Sequence, residues 1–194
     1  MNKLVRAFYR CCRIPRSIGF GVQSPFAYDF VTKIVHDKAI YLAYGKLLGK
    51  YPTAKEVEVK LRQLLWRVCH WRQPSSVVVA LDDAEAYAAY CQEAIPTAKV
   101  VVCCDVDACE DTATPDLLVL SASADACNQY DRFAAHATPS SVLFVLGIHA
   151  TPTSLACWKR MVADDRSRVS FDFLEGGVIF FDKKYHKAHY NIHL

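Results

Sequence analysis

Asp82 and Asp83 stand where an apolar run (SVVVAL, residues 76–81) turns directly into a helical stretch (AEAYAAY, 84–90). In open α/β sheets the crevice beyond such a strand is the usual ligand site, and nucleotide-type ligands need glycine there so that backbone can approach them. This turn holds none, and no glycine occurs between Gly49 and Gly147. Asp82 with Glu85 is expected to form a helix cap instead, its carboxylate taking the N–H groups a ligand would use and repelling an anionic phosphate. Asp105 and Asp107 follow a second apolar run and suit a polar loop. His149 sits in a loop just before a helix, where an imidazole is either structural or catalytic. His186, His189 and His193, three and four residues apart, would share a face as metal ligands if the tail were helical.

The cysteines carry less chemistry. Nine are present, with two vicinal pairs, Cys11-Cys12 and Cys103-Cys104, and no CxxC spacing. Structural zinc sites pair their ligands at short fixed spacing, so no metal is expected. The odd number and the lack of a secretory leader predict reduced thiols and a cytoplasmic protein, with most cysteines acting as small core hydrophobes.

The elements that must position these groups are well marked. A chain of 194 residues, 53% hydrophobic and 22% charged, is expected to form one domain, a helical segment over 1–73 and an α/β core over 74–194. Lys3, Arg6, Arg10 and Arg13 recur at helical spacing and predict a short basic amphipathic helix. They also run through what would be the apolar core of a signal peptide, which argues against one. A net charge of +3 is too mild to indicate nucleic acid, and no apolar run approaches the roughly 20 residues needed to span a bilayer.

Gly19 and Gly21 punctuate a loop, after which Ser24 and Pro25 open a helix expected to reach about His36. A long helix is predicted from Thr53, whose Glu56 three residues on makes a capping-box pattern. Val57, Leu61, Leu64, Leu65 and Val68 form its buried stripe, while Glu56/Lys60 and Glu58/Arg62 form i,i+4 pairs on the other side, and Pro74 ends it.

From there strands (77–81, 99–104, 117–121, 142–146) alternate with helices (83–94, 125–136, 153–163), which predicts a parallel sheet with right-handed crossovers. Residues 168–174 and 178–182 flank Glu175-Gly176-Gly177 and read as an antiparallel hairpin, with 189–194 as a further edge strand.

This α/β pattern closed by a hairpin resembles the class I S-adenosylmethionine-dependent methyltransferases. GFGVQSPFAYDFVTKIVHDK (19–38) resembles the HGVHSPFVYDF-type N-terminal segment of one bacterial branch. LLWRVCHWRQPSSVVVAL (64–81), SSVLFVLGIHATPTSLACW (140–158) and SFDFLEGGVIFFDKKYHKAHYNIHL (170–194) resemble its first strand with the preceding helix, its fifth strand with the following helix, and its hairpin and tail. The resemblance implies a Rossmann-like methyltransferase fold, S-adenosylmethionine as cofactor if activity is retained, and strand rather than helix for the end of the tail.

It also implies losses. Where relatives carry ELGTSLG, the acid falls on Ala80 and the glycines on Asp82 and Ala86. Ser121 takes the place of the acid in FIDGNH. Where relatives read DDIHWS this chain has Leu146-Gly147-Ile148-His149, so only His149 survives as a catalytic candidate. Asp105 lies where the family's ribose-binding acid would be, which leaves Asp105, Asp82 and Ser121 as cofactor-binding candidates. Together these features imply a degenerate member that acts by binding a protein partner or a second copy. The alternative is an active methyltransferase with an atypical cofactor pocket.

Overall fold

The computed structural model describes residues 24–103, 114–123 and 125–194. The basic helix expected over residues 3–13, and Asp105 with Asp107, lie outside them.

The described residues open with α1 (Pro25–Asp29), which runs on as a wider π-helical turn over Phe30–Val35. Ser24 holds the cap position, but its side chain makes no cap hydrogen bond, and Pro25 supplies the preset first-turn φ. Next come α2 (Leu42–Lys50) and the long α3 (Glu56–Arg72). The helix α3 begins three residues later than Thr53 predicts. The hydroxyl of Thr53 accepts from Lys55 N at 3.3 Å and donates to Glu58 Oε2 at 3.0 Å, so it closes a turn before the helix rather than capping it. Buried Arg67 reaches from α3 to the end of the π-helical turn, donating through Nε to Ile34 O at 2.6 Å and through Nη2 to Val35 O at 3.2 Å. A guanidinium thus satisfies carbonyls that a helix end leaves open.

The remaining elements are β1 (Ser76–Ala80), α4 (Ala84–Ala94), β2 (Lys99–Val102), β3 (Leu117–Ser121), α5 (Ala126–Ala135), β4 (Val142–Leu146), α6 (Pro152–Ala163), β5 (Val169–Asp172), β6 (Gly176–Phe180) and β7 (Ala188–Asn191). They form one seven-stranded sheet in the order β2-β1-β3-β4-β6-β5-β7. Only β6 runs against its neighbours; the β1 pairings with β2 and β3, the β3–β4 pairing and the β5–β7 pairing are all parallel.

Side chains alternate across the sheet as the pleat requires. Val77, Val79, Leu117, Val119 and Phe144 face α1, α3 and α4, whereas Val78, Leu118, Leu120, Leu143, Val145 and Ile179 face α5 and α6. The central strands β1, β3 and β4 are covered on both faces, as their continuous apolar runs predict. Strand β2 departs from that expectation: it lies outermost among the described strands and is only partly covered.

Strands are pinned at their entry ends by Asp116. Its carboxylate accepts from Ser75 N at 2.9 Å, Ser75 Oγ at 2.5 Å, Ser76 N at 3.2 Å and Ser76 Oγ at 3.3 Å, which fixes the start of β1 beside β3. Burial pushes this acid up, but the serine hydrogen bonds outweigh it and the net shift is downward.

The hairpin and the edge strand form as predicted, with a different turn. Gly176 and Gly177 are strand residues, and the reversal falls on residues 173–175, where Leu174 adopts φ 78°. The tail histidines do not share a helix. His189 lies in β7, with Nδ1 2.9 Å from Ser170 Oγ, and the carbonyl of His193 receives Nε2 of His36 at 3.0 Å. Among the described residues no helix is long and apolar enough to cross a membrane.

Candidate functional site

In a mainly parallel sheet, ligand chemistry gathers at the carboxyl ends of the strands, where loops rather than ladders use the backbone groups. The topology brings Asp82, Ser121 and His149 to that edge, after β1, β3 and β4, three adjacent strands. Asp105 lies outside the described residues.

The turn after β1 is the most heavily built part of the edge. Asp82 and Asp83 are both exposed, and α4 begins at Ala84 with Asp83 at the cap position and no side-chain cap hydrogen bond. The expected cap by Asp82 and Glu85 is therefore absent, because the carboxylate that could serve is drawn elsewhere. Asp83 Oδ2 lies 3.3 Å from Nη2 of Arg62, which arrives from α3.

Arg62 itself is the main surprise, since its pairing with Glu58 places it by sequence on a solvated face. It is only 3% exposed. Its Nη2 donates to Glu58 Oε1, its Nη1 donates to Tyr51 O at 3.0 Å, and its guanidinium lies 5.3 Å from the ring centroid of Tyr87. The α3–α4 interface puts it there, because Arg62 follows Leu61 on the face that meets Tyr87 and Tyr90. Tyr87, one turn into α4, is buried; desolvation, with a further push from Glu58, raises its hydroxyl to about 12. A charged, aromatic cluster thus occupies the α3–α4 side of the turn that glycines leave open in nucleotide-binding sheets.

Ser121 is the exposed last residue of β3, in register with Leu146. The loop after it is held closely: Ala122 N donates to Leu146 O at 2.8 Å, and Ala122 O accepts from Ser154 Oγ at 2.6 Å. Ser154 belongs to the first turn of α6, whose cap is Thr151 Oγ1 accepting from Ser154 N at 3.0 Å. The β3–α5 loop is thereby bolted to the helix that follows β4.

His149 is turned toward the other side, to β5. Its Nε2 lies 2.7 Å from Oδ2 of Asp172, a buried carboxylate whose Oδ1 accepts from Leu174 N at 2.8 Å. The structure therefore couples His149 to Asp172. No hydrogen bond joins His149 to Asp82 or Ser121. Asp172 was legible in principle, since an aspartate inside the apolar run VSFDF must find a partner when buried.

The comparisons bear on the fold. No family model matches the chain, and no curated protein matches it by sequence. Among solved structures it is similar to the O-methyltransferase TomG from Streptomyces achromogenes, involved in tomaymycin synthesis and crystallised with SAM. The identity there is 10%, the TM-score 0.53, and the match covers 74% of this chain and 91% of that one. It is also similar to an O-methyltransferase from Bacillus cereus in complex with SAH, at 10% identity and a TM-score of 0.48, over 80% of this chain and 96% of that one. With the strand order and the single reversed strand already described, the likeness to TomG fixes the architecture as a Rossmann-like methyltransferase fold with a C-terminal antiparallel hairpin.

Proposed function

We propose that this protein is a degenerate member of the methyltransferase fold that has lost cofactor binding and acts by binding a protein partner or a second copy of itself. The observation that carries this reading is the cluster of Arg62, Glu58, Asp83 and Tyr87 at the turn after β1. An adenosyl ligand would need free amides and open space at that corner, and this one presents carboxylates and a buried guanidinium paired with its own side chains. The side chains at the two other family positions support the same reading. Ser121 and Leu146 cannot replace carboxylates as ligands for a hard cation or as proton acceptors.

The partner contact in this reading lies away from this edge. Ile40 and Leu42, just before and at the start of α2, are each 96% exposed and are the apolar side chains this reading assigns to that contact.

The test is calorimetric titration with S-adenosylmethionine. The expected result is no saturable heat at micromolar to millimolar cofactor. Micromolar binding, followed by methyl transfer to any acceptor, would replace this reading with that of a working enzyme with an atypical pocket.

A further inference from the structure

A groove of about 360 Å³ runs between α6 and the outer strands β5 and β7, on the face of the sheet opposite α3. Its volume falls in the roughly 300–1,000 Å³ range of small-molecule sites. Leu155, Trp158 and Val162, at helical spacing on α6, form its apolar wall. His149 and Asp172 line one end.

Several features show that this end is built. Asp172 is fixed from two sides, by Leu174 N on one oxygen and by His149 on the other. A carboxylate only accepts, so the imidazole must present Nε2–H to it, and in the neutral ring Nδ1 is then left with a free lone pair. No second hydrogen bond to His149 exists among the described residues. The loop carrying His149 is itself held rigid. Gly147 adopts φ 69° and donates to Glu175 O at 2.7 Å, and Ala150 N returns to Gly147 O at 2.9 Å. A histidine that serves only the fold would normally use both nitrogens internally. Here a buried acid orients the ring and leaves one acceptor unused beside an apolar groove.

We propose that this groove binds a small, mostly apolar molecule bearing a hydroxyl group. The ring or chain of that molecule lies along Leu155, Trp158 and Val162, and its O–H donates to Nδ1 of His149. Asp172 is a positioning residue that sets the tautomer and the angle of the ring. The site is independent of the cofactor corner, so the outcome of the S-adenosylmethionine titration leaves it standing or falling on its own test.

That test uses the full chain and two probes that differ by one methyl on the oxygen, para-propylphenol and its methyl ether para-propylanisole, followed by calorimetry and by proton–nitrogen spectra of the imidazole. Saturable binding of the phenol is expected, with the ether about tenfold weaker, the worth of one hydrogen bond to an oriented acceptor. His149→Phe should bring the phenol to the affinity of the ether, and Val162→Trp, which fills the groove, should abolish binding of both. Absence of saturable phenol binding at millimolar concentration, equal affinity for the two probes, or phenol affinity unchanged in either variant would overturn the proposal.

Discussion

Gly177→Ala is the smallest change with a large expected effect. The new methyl carbon would lie 2.4 Å from Cη2, 2.7 Å from Cζ2 and 2.9 Å from Cζ3 of Trp158. Carbon atoms rest about 3.5–4.0 Å apart, so the indole must retreat by roughly 1 Å or more. Its slack lies toward the groove that it walls; elsewhere it is enclosed by the packing of α6 onto β4 and β6 and is only 2% exposed. Overpacking of this kind costs about 1–3 kcal/mol, and the upper end is expected here because three ring atoms are struck at once. The φ of Gly177 is not in the left-handed region, so the penalty is steric and is removable from the other side. Trp158→Ala alone should cost about 3–5 kcal/mol through the space it vacates. In the double variant the alanine methyl no longer meets the ring, and the coupling should recover about 2 kcal/mol. Urea denaturation followed by far-ultraviolet circular dichroism measures all four corners of the cycle. Additive costs, or a Gly177→Ala cost below about 0.5 kcal/mol, would refute the steric argument.

Further expectations concern the ion pairs. Arg62→Met should destabilise by about 3 kcal/mol because it strands the half-buried Glu58 and the Tyr51 carbonyl, whereas Asp83→Asn, on a side chain 75% exposed, should cost under about 0.5 kcal/mol; equal costs in urea would contradict the assigned geometry. Asp116→Ala removes the acceptor shared by Ser75 and Ser76 and should cost about 2 kcal/mol in the same assay. The hydrogen bond from Arg166 holds Asp164 down to about 2, below its ordinary 3.8. A depressed carboxylate stabilises above its unfolded value, so this contribution, about 1 kcal/mol after solvent screening, is complete above pH 3.8 and is lost as the pH falls through about 2. Asp164→Asn should flatten that part of an acid titration monitored by circular dichroism. Finally, Ile40→Ser with Leu42→Ser should abolish any self-association seen by sedimentation without lowering stability by more than about 0.5 kcal/mol.

What the sequence revealed follows from which forces are local. The alternation of apolar runs and helices depends on burial periodicity, and β3 and β4 match their predicted ranges to the residue. Position across the sheet is not local. Glu175-Gly176-Gly177 carries the composition of a turn, yet the two glycines are strand residues paired within the sheet, where Leu61 and Trp158, both remote in sequence, fill the space a side chain would need. Arg62 fits an exposed i,i+4 pair until α4 arrives and covers it. His149 could be singled out by its place before a helix, but its partner Asp172 comes from pairing of strands that are not adjacent in the chain. The resemblance to methyltransferases agrees with the architecture at the level of fold, which the likeness to TomG shares.

The helix α1 has a bearing on how the chain is made. Phe26 lies 5.1 Å from Phe180 and 4.2 Å from Tyr185, and Phe30 lies 4.6 Å from Phe171, centroid to centroid. Its docking platform is therefore synthesised about 140 residues after it, and a ribosome adding about 5–20 residues per second needs on the order of ten seconds to deliver it. Throughout that interval the two phenylalanines have Trp71, at 6.0 and 5.8 Å, but not the hairpin side of their bed. The nascent protein is thus open to chaperones, or to a neighbouring copy offering its own finished hairpin, at the stage when an exchange of α1 between copies would be easiest.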